Sequence, residues 1–527
     1  MNRFILYPFI IFSFLFSQFD LDPRMTGMSG AYTTVASGYQ SIGVNPANLG
    51  SNNALSMNLI SINAFLLNDF MSVELYNDIN GANLEDPTSA SYYPKEDILD
   101  QVNENQIVME GGWAAPIPAL NFAYKRFGIS MINRSYVRFD IPKDVLTMMF
   151  YGNTTERLIF EFGGEGISVN ELGLTYAHKF IMLDQPIQLG ATFKYLQGLL
   201  YLKAEDVEDE GSYFETDDDS FSGSGRYLIR QAFGGGGTAV DVGVLLPEFI
   251  EGWSIGASLI NLGGSISWGS DNFTRNIISD YENMLPLRQN EYYYFNYEID
   301  PINAMDIIDM EGGESPFSSD AYKVGLLTDP PLCSEADDSD LICLETSGAV
   351  SNSNLLTSED IIDIGNDSYL IPSESLQPTQ LQSESSQDIN LDYPSFLRIG
   401  TSKSIQNYGV IAIDLITGFD ESFGNSNKFK LSVGTEIIRI SKKFPIRFGL
   451  SVGGRQPSSY SLGFGYKLGP LSIDFGRKYY SGLIMNKAKG VEYALNLSLD
   501  FNEFSFKDAF RLNLPKIKLP KFPKLPD

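Results

Sequence analysis

The sequence of 527 residues is poor in the residue types on which most enzyme and metal sites depend. It contains one histidine, His178, and two cysteines. A single histidine excludes zinc sites built from several histidines, and no recognisable nucleophile setting accompanies it. We therefore expect no catalytic residues, no metal site and no cofactor.

Long apolar runs are also missing. The chain opens with "MNRFILYPFIIFSFLFSQ", in which Arg3 precedes about a dozen apolar residues, fewer than the roughly 20 that a spanning helix needs. This pattern predicts a secretory signal over residues 1–17. No later segment approaches 18 consecutive apolar residues, although the chain has 36 Phe and 28 Tyr. An exported membrane protein of this composition has to cross the membrane with strands.

Positive charge is scarce. The chain has 66 Asp and Glu against 37 Lys and Arg, so it lacks the basic stripe that binds nucleic acid. The imbalance is concentrated in residues 205–219 and 271–395, and the latter contain only Arg275, Arg288 and Lys323 as basic residues. We interpret these acidic blocks as solvated loops.

The main positive signal is an alternation of apolar and polar residues. In "YALNLSLDF" the residues Tyr493, Leu495 and Leu497 share one face, whereas Asn496 and Ser498 share the other. Runs of this kind, with the period of two that indicates strands, occur about fourteen times. They begin near residues 53, 119, 128, 169, 186, 226, 253, 395, 408, 429, 445, 459, 471 and 492.

The links between these strands alternate between long and short. The long links are residues 67–118, 141–168, 205–225 and 269–394. Outer-membrane barrels have short periplasmic turns and long extracellular loops, so the alternation predicts an all-β transmembrane antiparallel barrel over residues 53–504, with the long acidic loops outside. The alternative is a soluble β-sandwich, but its outward residues would be polar, and it gives no reason for the alternation.

Small residues and an Asn-Pro-Ala turn precede the first strand, in "DPRMTGMSGAYTTVASGYQSIGVNPANLG", residues 22–50. Asn45 can cap a helical turn that begins at Pro46. The segment resembles the start of the FadL-like outer-membrane barrels, which include hydrophobic-compound transporters and PorV-type secretion barrels. The resemblance implies fourteen strands and a plug, or hatch, inside the lumen over residues 18–52. The matching residues are Arg24, Met28, Gly30, Ala31, Asn45, Pro46, Ala47 and Leu49.

Two sets of residues in the barrel are candidate functional positions. The glycines of "FGGGG" predict either a kink in the wall or an opening through which an apolar ligand leaves; they are Gly234, Gly235, Gly236 and Gly237. Alternation also places charged side chains in the lumen, where they hold the plug; they are Arg398, Asp414, Glu436, Arg447, Lys467 and Asp474.

Cys333 and Cys343 flank "SEADDSDLI" in the longest predicted loop. In an exported chain, two cysteines this close predict a local disulfide. The aspartates between them lack the glycine and glutamate spacing of an EF-hand, so a solvated acidic tip is favoured over a Ca²⁺ site.

The chain ends with "LPKIKLPKFPKLPD", which predicts an extended, basic, periplasmic tail over residues 505–527. Two functions remain open. The first is an outer-membrane channel that passes small hydrophobic, fatty-acid-like compounds and contacts lipid with its outer face. The second is a non-transporting scaffold that binds a periplasmic or secreted protein through this tail.

Overall fold

The computed structural model describes residues 20–502 except 104, 153–156, 183–184, 209–210, 217–219, 269–291, 303–316, 329–340, 343–355, 358–361, 364–368, 373–388 and 483. The predicted signal sequence, the C-terminal tail, Cys333 and Cys343 lie outside the described residues.

Short helices lie before the first strand and in the loops. The α-helices are α1 (Pro23–Gly27), α2 (Val73–Ile79), α3 (Lys95–Leu99) and α4 (Lys143–Tyr151), and the 3-10 helices are Gly38–Ser41, Pro46–Ser51 and Met485–Lys487. In the described part of the chain no helix is both long enough and apolar enough to cross a membrane.

Antiparallel strands make up the rest of the described structure. The strands that form the wall are β1 (Leu55–Asn68), β2 (Gln106–Pro116), β3 (Phe122–Tyr124), β4 (Phe127–Pro142), β6 (Gly163–Met182), β7 (Gln185–Asp206), β9 (Phe221–Ile250), β10 (Trp253–Ser267), β18 (Phe396–Ile405), β19 (Gly409–Gly418), β20 (Lys430–Ile437), β21 (Ile446–Gly453), β22 (Ser458–Leu468), β23 (Leu471–Tyr480) and β24 (Gly490–Asp500). Shorter or peripheral strands are β5 (Arg157–Ile159), β8 (Tyr213–Thr216), β11 (Tyr292–Ile302), β12 (Phe317–Thr328), β13 (Leu341–Ile342), β14 (Leu356–Thr357), β15 (Ile362–Asp363), β16 (Tyr369–Pro372) and β17 (Asn390–Asp392).

The wall strands close into a ring. Each pairs with its neighbour in chain order, and the first strand, β1, pairs with the last, β24, from Ser56↔Asp500 to Leu67↔Gly490. β2 and β3 occupy one place in the ring, because both pair with β1 and with β4. Counting this pair once gives fourteen wall strands, which confirms the predicted fold class and strand number.

The two ends of the barrel differ in their connections. One end carries tight links such as residues 251–252, 406–408 and 469–470, and also the start of β1 and the end of β24. We call it the short-turn end. At the opposite, long-loop end, β1 ends and β2 begins, and β10 ends and β18 begins, so the links between them start and finish there. The predicted alternation of links is therefore present in the structure.

Large apolar side chains cover the outside of the wall. In β24 the outward Tyr493 and Leu495 are more than 40% exposed, whereas the inward Asn496 is completely buried. The predicted faces of this strand are thus confirmed. Other outward residues more than half exposed are Ile60, Leu174, Phe193, Leu450 and Phe464. Such a continuous apolar band is the surface that lipid, not water, solvates.

One wall strand was assigned wrongly from sequence. Residues 106–116 were expected to belong to a long loop, but they form β2. The chain then leaves the ladder between β2 and β3, where the side chain of Asn121 donates to the carbonyls of Ile117 and Met131, at 2.9 Å in each case. The predicted loop 67–118 therefore ends near residue 105.

At the long-loop end the wall continues beyond the ring. β9 is 30 residues long, and its first half pairs with β11 instead of β10. β11 pairs in turn with β12, and β12 with β16. Part of the predicted loop 269–394 is therefore a sheet that extends the barrel outward.

Candidate functional site: the plugged lumen

Residues 20–52 lie inside the lumen as a plug, and the short helix α1 stands near their beginning. Asp22 caps this helix by accepting hydrogen bonds from the backbone N–H groups of Arg24 (2.8 Å) and Met25 (3.3 Å), and Pro23 occupies the first helical position. Burial raises the pKa of Asp22 to about 6, against the lowering effect of Arg24. The matched residues Met28 and Ala31 are completely buried, and Gly30, which lies between them, has φ +91°.

The Asn-Pro-Ala turn forms the second half of the plug. The Asn45 side chain accepts a hydrogen bond from the backbone N–H of Ala47 at 3.1 Å, which caps the 3-10 helix Pro46–Ser51 as predicted. The same side chain donates to the carbonyl of Val244 in β9 at 3.1 Å. Asn45 therefore both shapes the turn and attaches it to the wall. Ala47 and Leu49 are completely buried.

Glycines on the wall leave room for the plug backbone. A Cβ at Gly190 would lie 2.4 Å from the carbonyl carbon of Pro46, and a Cβ at Gly449 would lie 2.3 Å from that of Met28. The sequence predicted small residues in the plug but not this complementary set in the strands. Other wall glycines whose added Cβ would come close to backbone or side-chain atoms of the plug include Gly128, Gly243, Gly256, Gly400, Gly434, Gly463 and Gly476.

An ion-pair cluster fixes α1 to one side of the barrel. The Arg24 guanidinium pairs with Glu436 of β20 at 3.1 Å, and Arg447 of β21 pairs with Glu436 at 2.6 Å and with Asp474 of β23 at 2.7 Å. Burial lowers the pKa of Arg24, but the adjacent Glu436 outweighs that effect and holds the pKa well above its usual value. Of the predicted lumen charges, Glu436 therefore contacts the plug directly, and Arg447 and Asp474 extend the same ion-pair network. Lys467, another predicted lumen charge, lies with Arg447 and Asp474 along a cleft at the short-turn end.

A second cluster holds the beginning of the plug at the seam where the ring closes. Lys478 pairs with Asp20 at 2.9 Å and with Glu492 of β24 at 3.6 Å, and all three side chains are fully buried. Asn63 of β1 donates to the carbonyl of Asp20 (2.6 Å), to Thr26 (3.0 Å) and to Glu492 (2.7 Å). The plug therefore contacts the first and the last strand at one point.

A third cluster holds the middle of the plug. Asp414 of β19 accepts hydrogen bonds from the backbone N–H groups of Tyr32 (2.9 Å) and Thr33 (2.8 Å). Arg398 of β18 pairs with Asp414 at 3.2 Å and donates to the carbonyl of Gly30 at 2.7 Å. Both predicted lumen charges therefore bind the plug backbone directly.

The opposite wall carries a buried cluster that sequence analysis missed. Glu171 of β6 pairs with Arg134 of β4 at 3.0 Å and with Lys194 of β7 at 3.2 Å, and Lys194 also pairs with Asp241 of β9 at 3.1 Å. The signal was available, because these residues alternate with outward apolar ones such as Leu172 and Phe193. Each charge has a partner of opposite sign, which is what burial requires.

Beyond the plug, towards the long-loop end, the lumen contains a cluster of buried apolar side chains. We call this region the outer chamber. The inward face of β1 shows the change, because Ser61 and Asn63 lie beside the plug, whereas Phe65 and Leu67 lie beyond it. The residues of the outer chamber are Phe65, Leu67, Tyr136, Ile167, Val169, Leu196, Tyr201, Ala232, Ala239, Ile266, Trp268, Tyr393, Phe423 and Tyr480.

The glycine run 234–237 does not open the wall. Gly235, Gly236 and Gly237 pair with β7, and Gly236 and Gly237 also pair with β10. β7 and β9 stay in register on both sides of Gly234, from Gly198↔Gly235 to Leu200↔Phe233, so these residues lie within a paired strand and not at an opening. Gly234 has φ +70°. The glycines instead make room for Trp268, since a Cβ at Gly235 would lie 2.8 Å from its ring.

Within the described residues, no three His, Cys, Asp or Glu side chains form a group that could hold a metal ion. His178 lies on the outer face of β6, where its Nδ1 is 3.0 Å from Arg126 and from the Tyr176 hydroxyl. The site is therefore the lumen itself, in which a plug attached by ion pairs lies beneath an apolar chamber.

These features define a closed antiparallel barrel of fourteen wall strands with an N-terminal plug. Residues 46–298 match a protein family described as of unknown function, DUF5723. No protein with a curated description matches the chain in sequence.

Solved barrels resemble the chain over most of its length. The toluene transporter TbuX of Ralstonia pickettii is 10% identical, and the match covers 91% of this chain and 98% of TbuX with a TM-score of 0.42. The toluene transporter TodX of P. putida is 9% identical, with 92% and 99% covered and a TM-score of 0.43. A Pseudomonas aeruginosa FadL homologue is 11% identical, with 93% and 99% covered and a TM-score of 0.41.

Proposed function

We propose that this protein is a FadL-like outer-membrane channel for small hydrophobic compounds, with fatty-acid-like molecules as the first candidates. The observation that carries the proposal is the apolar lining of the outer chamber. Water-filled barrels for hydrophilic solutes have polar interiors, whereas an apolar lumen favours apolar solutes over ions. The apolar outer band supports the location in the membrane.

The plug gives this channel a closed state. Three buried clusters attach it to the wall, so a solute that has entered the outer chamber reaches the cleft at the short-turn end only if part of the plug moves. We assign this movement to the Asn45-Pro46-Ala47 turn, because no ion pair of the described residues attaches this turn to the wall.

Uptake by cells tests the proposal. A strain without the protein, complemented with wild-type or variant chains, is given radiolabelled oleate, toluene or sucrose. We expect the wild type to raise uptake of an apolar compound several-fold and to leave sucrose uptake unchanged. Ala47→Leu, which overfills the space beside Gly190, changes that rate while the barrel remains in the membrane. Equal uptake of every compound with and without the protein would contradict the proposal.

A substitution inside the outer chamber sharpens the test. Leu196→Asn keeps the side-chain size but adds polar atoms, so we expect slower uptake of the apolar compound. The matched control is Thr192→Val, which faces inward on the same strand but lies beside the plug, where Thr192 shares a hydrogen bond of 2.9 Å with Thr175. If both variants transport like the wild type, the apolar lining does not select the solute.

The scaffold function makes a different prediction. Removal of residues 513–527 then abolishes co-purification of a periplasmic or secreted partner, and uptake does not depend on the protein. The proposed channel keeps its uptake without this tail.

A further inference from the structure

Two loops at the long-loop end reach across the lumen instead of following the wall. The first joins β21 to β22 and carries Arg455, which pairs with Glu110 of β2 and donates to the hydroxyl of Tyr136 on β4 at 2.6 Å. Three strands separate β22 from β2 around the ring, a path of about 19 Å along the wall at the usual strand spacing. Arg455 spans this separation only because its loop folds into the lumen.

The backbone of this loop turns sharply just before Arg455. Gly453 and Gly454, which immediately precede Arg455, have φ +77° and +78°, a conformation that favours glycine. Glu110 and Tyr136 are buried, and the guanidinium carbon of Arg455 lies 5.4 Å from the centre of the Tyr136 ring. The neighbouring Gln456 accepts a hydrogen bond from Ser481, on its own side of the barrel.

The second loop joins β19 to β20 and carries Phe423. Its ring meets Tyr201 of β7 edge-on, with 6.4 Å between the ring centres, and its backbone N–H donates to the carboxylate of Glu165 on β6. Phe423 has φ +46°, a strained value for a phenylalanine, and is 5% exposed. Three strands also separate β19 from β7, so this contact crosses the lumen as well.

Both crossings lie on the outer chamber, since Tyr136, Tyr201 and Phe423 belong to its lining. We infer that Arg455 and Phe423 form an outer gate, distinct from the plug, which a solute must part before it enters the chamber. The inference rests on the proposed channel function. When the gate opens, the solute meets apolar and aromatic side chains. A small charged solute would lose its hydration on entering and would gain no polar contact with these side chains in return. The gate therefore favours solutes with a large apolar part over small ions and sugars.

Chemical labelling tests the gate without any transported compound. Ala232→Cys places a thiol in the chamber beside Tyr201, in a chain where Cys333 and Cys343 are replaced by serine. In the folded, purified protein a membrane-impermeant maleimide reaches this thiol slowly. We expect Arg455→Ala and Phe423→Ala each to increase the labelling rate at least tenfold. Gln456→Ala, in the same loop but without a cross-lumen partner, leaves the rate unchanged.

Two further variants exclude a general loosening of the barrel. A thiol at Ser498, which lines the cleft at the short-turn end, reacts at the same rate in all gate variants. Arg455→Glu opens the gate, and adding Glu110→Arg closes it again by restoring the ion pair with reversed signs. If Arg455→Ala fails to fold, the isosteric Glu110→Gln is measured in the same way.

Unchanged labelling of Ala232→Cys in folded Arg455→Ala and Phe423→Ala chains would overturn the gate. Uptake measurements on the same variants separate the outer gate from the proposed channel function. Faster labelling together with faster entry of the apolar compound supports both the gate and the channel. Faster labelling without any protein-dependent uptake supports the outer gate but contradicts the proposed channel function.

Discussion

The ammonium group of Lys478 lies 2.9 Å from the Oδ2 of Asp20, and neither side chain is exposed to solvent. The pair joins Asp20, the first described residue of the plug, to a strand more than 450 positions later in the chain. We expect Lys478→Met to lower the free energy of unfolding by about 3 to 5 kcal/mol, because the buried carboxylates of Asp20 and Glu492 lose the cation with which both form an ion pair. Urea unfolding measures the effect, with the exposed Lys428→Met as the control. A loss below 1 kcal/mol for Lys478→Met would show that the pair does not anchor the plug.

The wall glycines provide a steric prediction. Gly190→Ala places a methyl group against the backbone of Pro46, so the plug has to shift, and we expect a loss of about 1 to 3 kcal/mol. Gly236→Ala is the matched control, because its Cβ meets nothing closer than the Tyr195 hydroxyl at 3.4 Å. The temperature at which the folded band disappears in a semi-native gel reports both. Equal temperatures for the two variants would place the plug elsewhere.

The outward band predicts which positions tolerate charge. Leu495→Arg puts a guanidinium on the outer face near the middle of β24, and we expect it to impair assembly by about 2 to 4 kcal/mol in the membrane. Ser472→Arg is the control, since Ser472 lines the cleft at the short-turn end, which can hydrate the charge. Folded barrel in isolated outer membranes is quantified for each. Similar yields would contradict the assignment of faces.

Asp22 makes the attachment of the plug to the wall dependent on pH. We call the attached plug seated and the detached plug released. Its pKa of about 6 lies above the ordinary 3.8, so the seated plug binds the proton more tightly than the released plug. Seating is therefore favoured at low pH, and up to about 3 kcal/mol of this contribution is lost as pH rises from about 4 through 6. A thiol at the buried Ser41 should become easier to label between pH 5 and pH 8. Because the reactive thiolate fraction itself rises with pH, the labelling rate is compared at each pH with that of Asp22→Asn, which keeps the cap but removes this step. A constant ratio of the two rates between pH 5 and pH 8 would contradict the pH dependence.

The orientation of the barrel is tested on intact cells. With Cys333 and Cys343 replaced, a cysteine at Ser220 on the long-loop end reacts with a membrane-impermeant reagent. A cysteine at Asn407, in a turn of the short-turn end, reacts only after the outer membrane is permeabilised. The reverse pattern would invert the barrel.

Sequence alone predicted most of the wall, because its strands alternate strictly between an outward apolar and an inward small or polar face. β2 escaped detection for a physical reason. Its centre contains Gly111 and Gly112, and the space above Gly112 is filled by the ring of Phe65 from β1. The inward side chain that would have completed the alternation is thus supplied by a neighbouring strand.

The lumen was predicted less completely than the wall. Alternation identified Arg398, Asp414 and Arg447, but it gave no information on which plug atoms they contact. The pairing depends on the path of residues 20–52 through the barrel, which no local pattern encodes. The glycine run 234–237 shows the same limit, since its role depends on Trp268, a residue more than 30 positions away.

The bonds of Asn63 and Glu492 bear on how the barrel is made. All other neighbouring wall strands follow one another along the chain and can pair in that order. β1 and β24 are the first and the last strand, so they can pair only after the strands between them have formed the wall. At that seam Asn63 donates at once to Glu492 and to the plug. The plug therefore contributes to the final joining of the ring, and a chain without its first helix would lose part of what holds its two ends together.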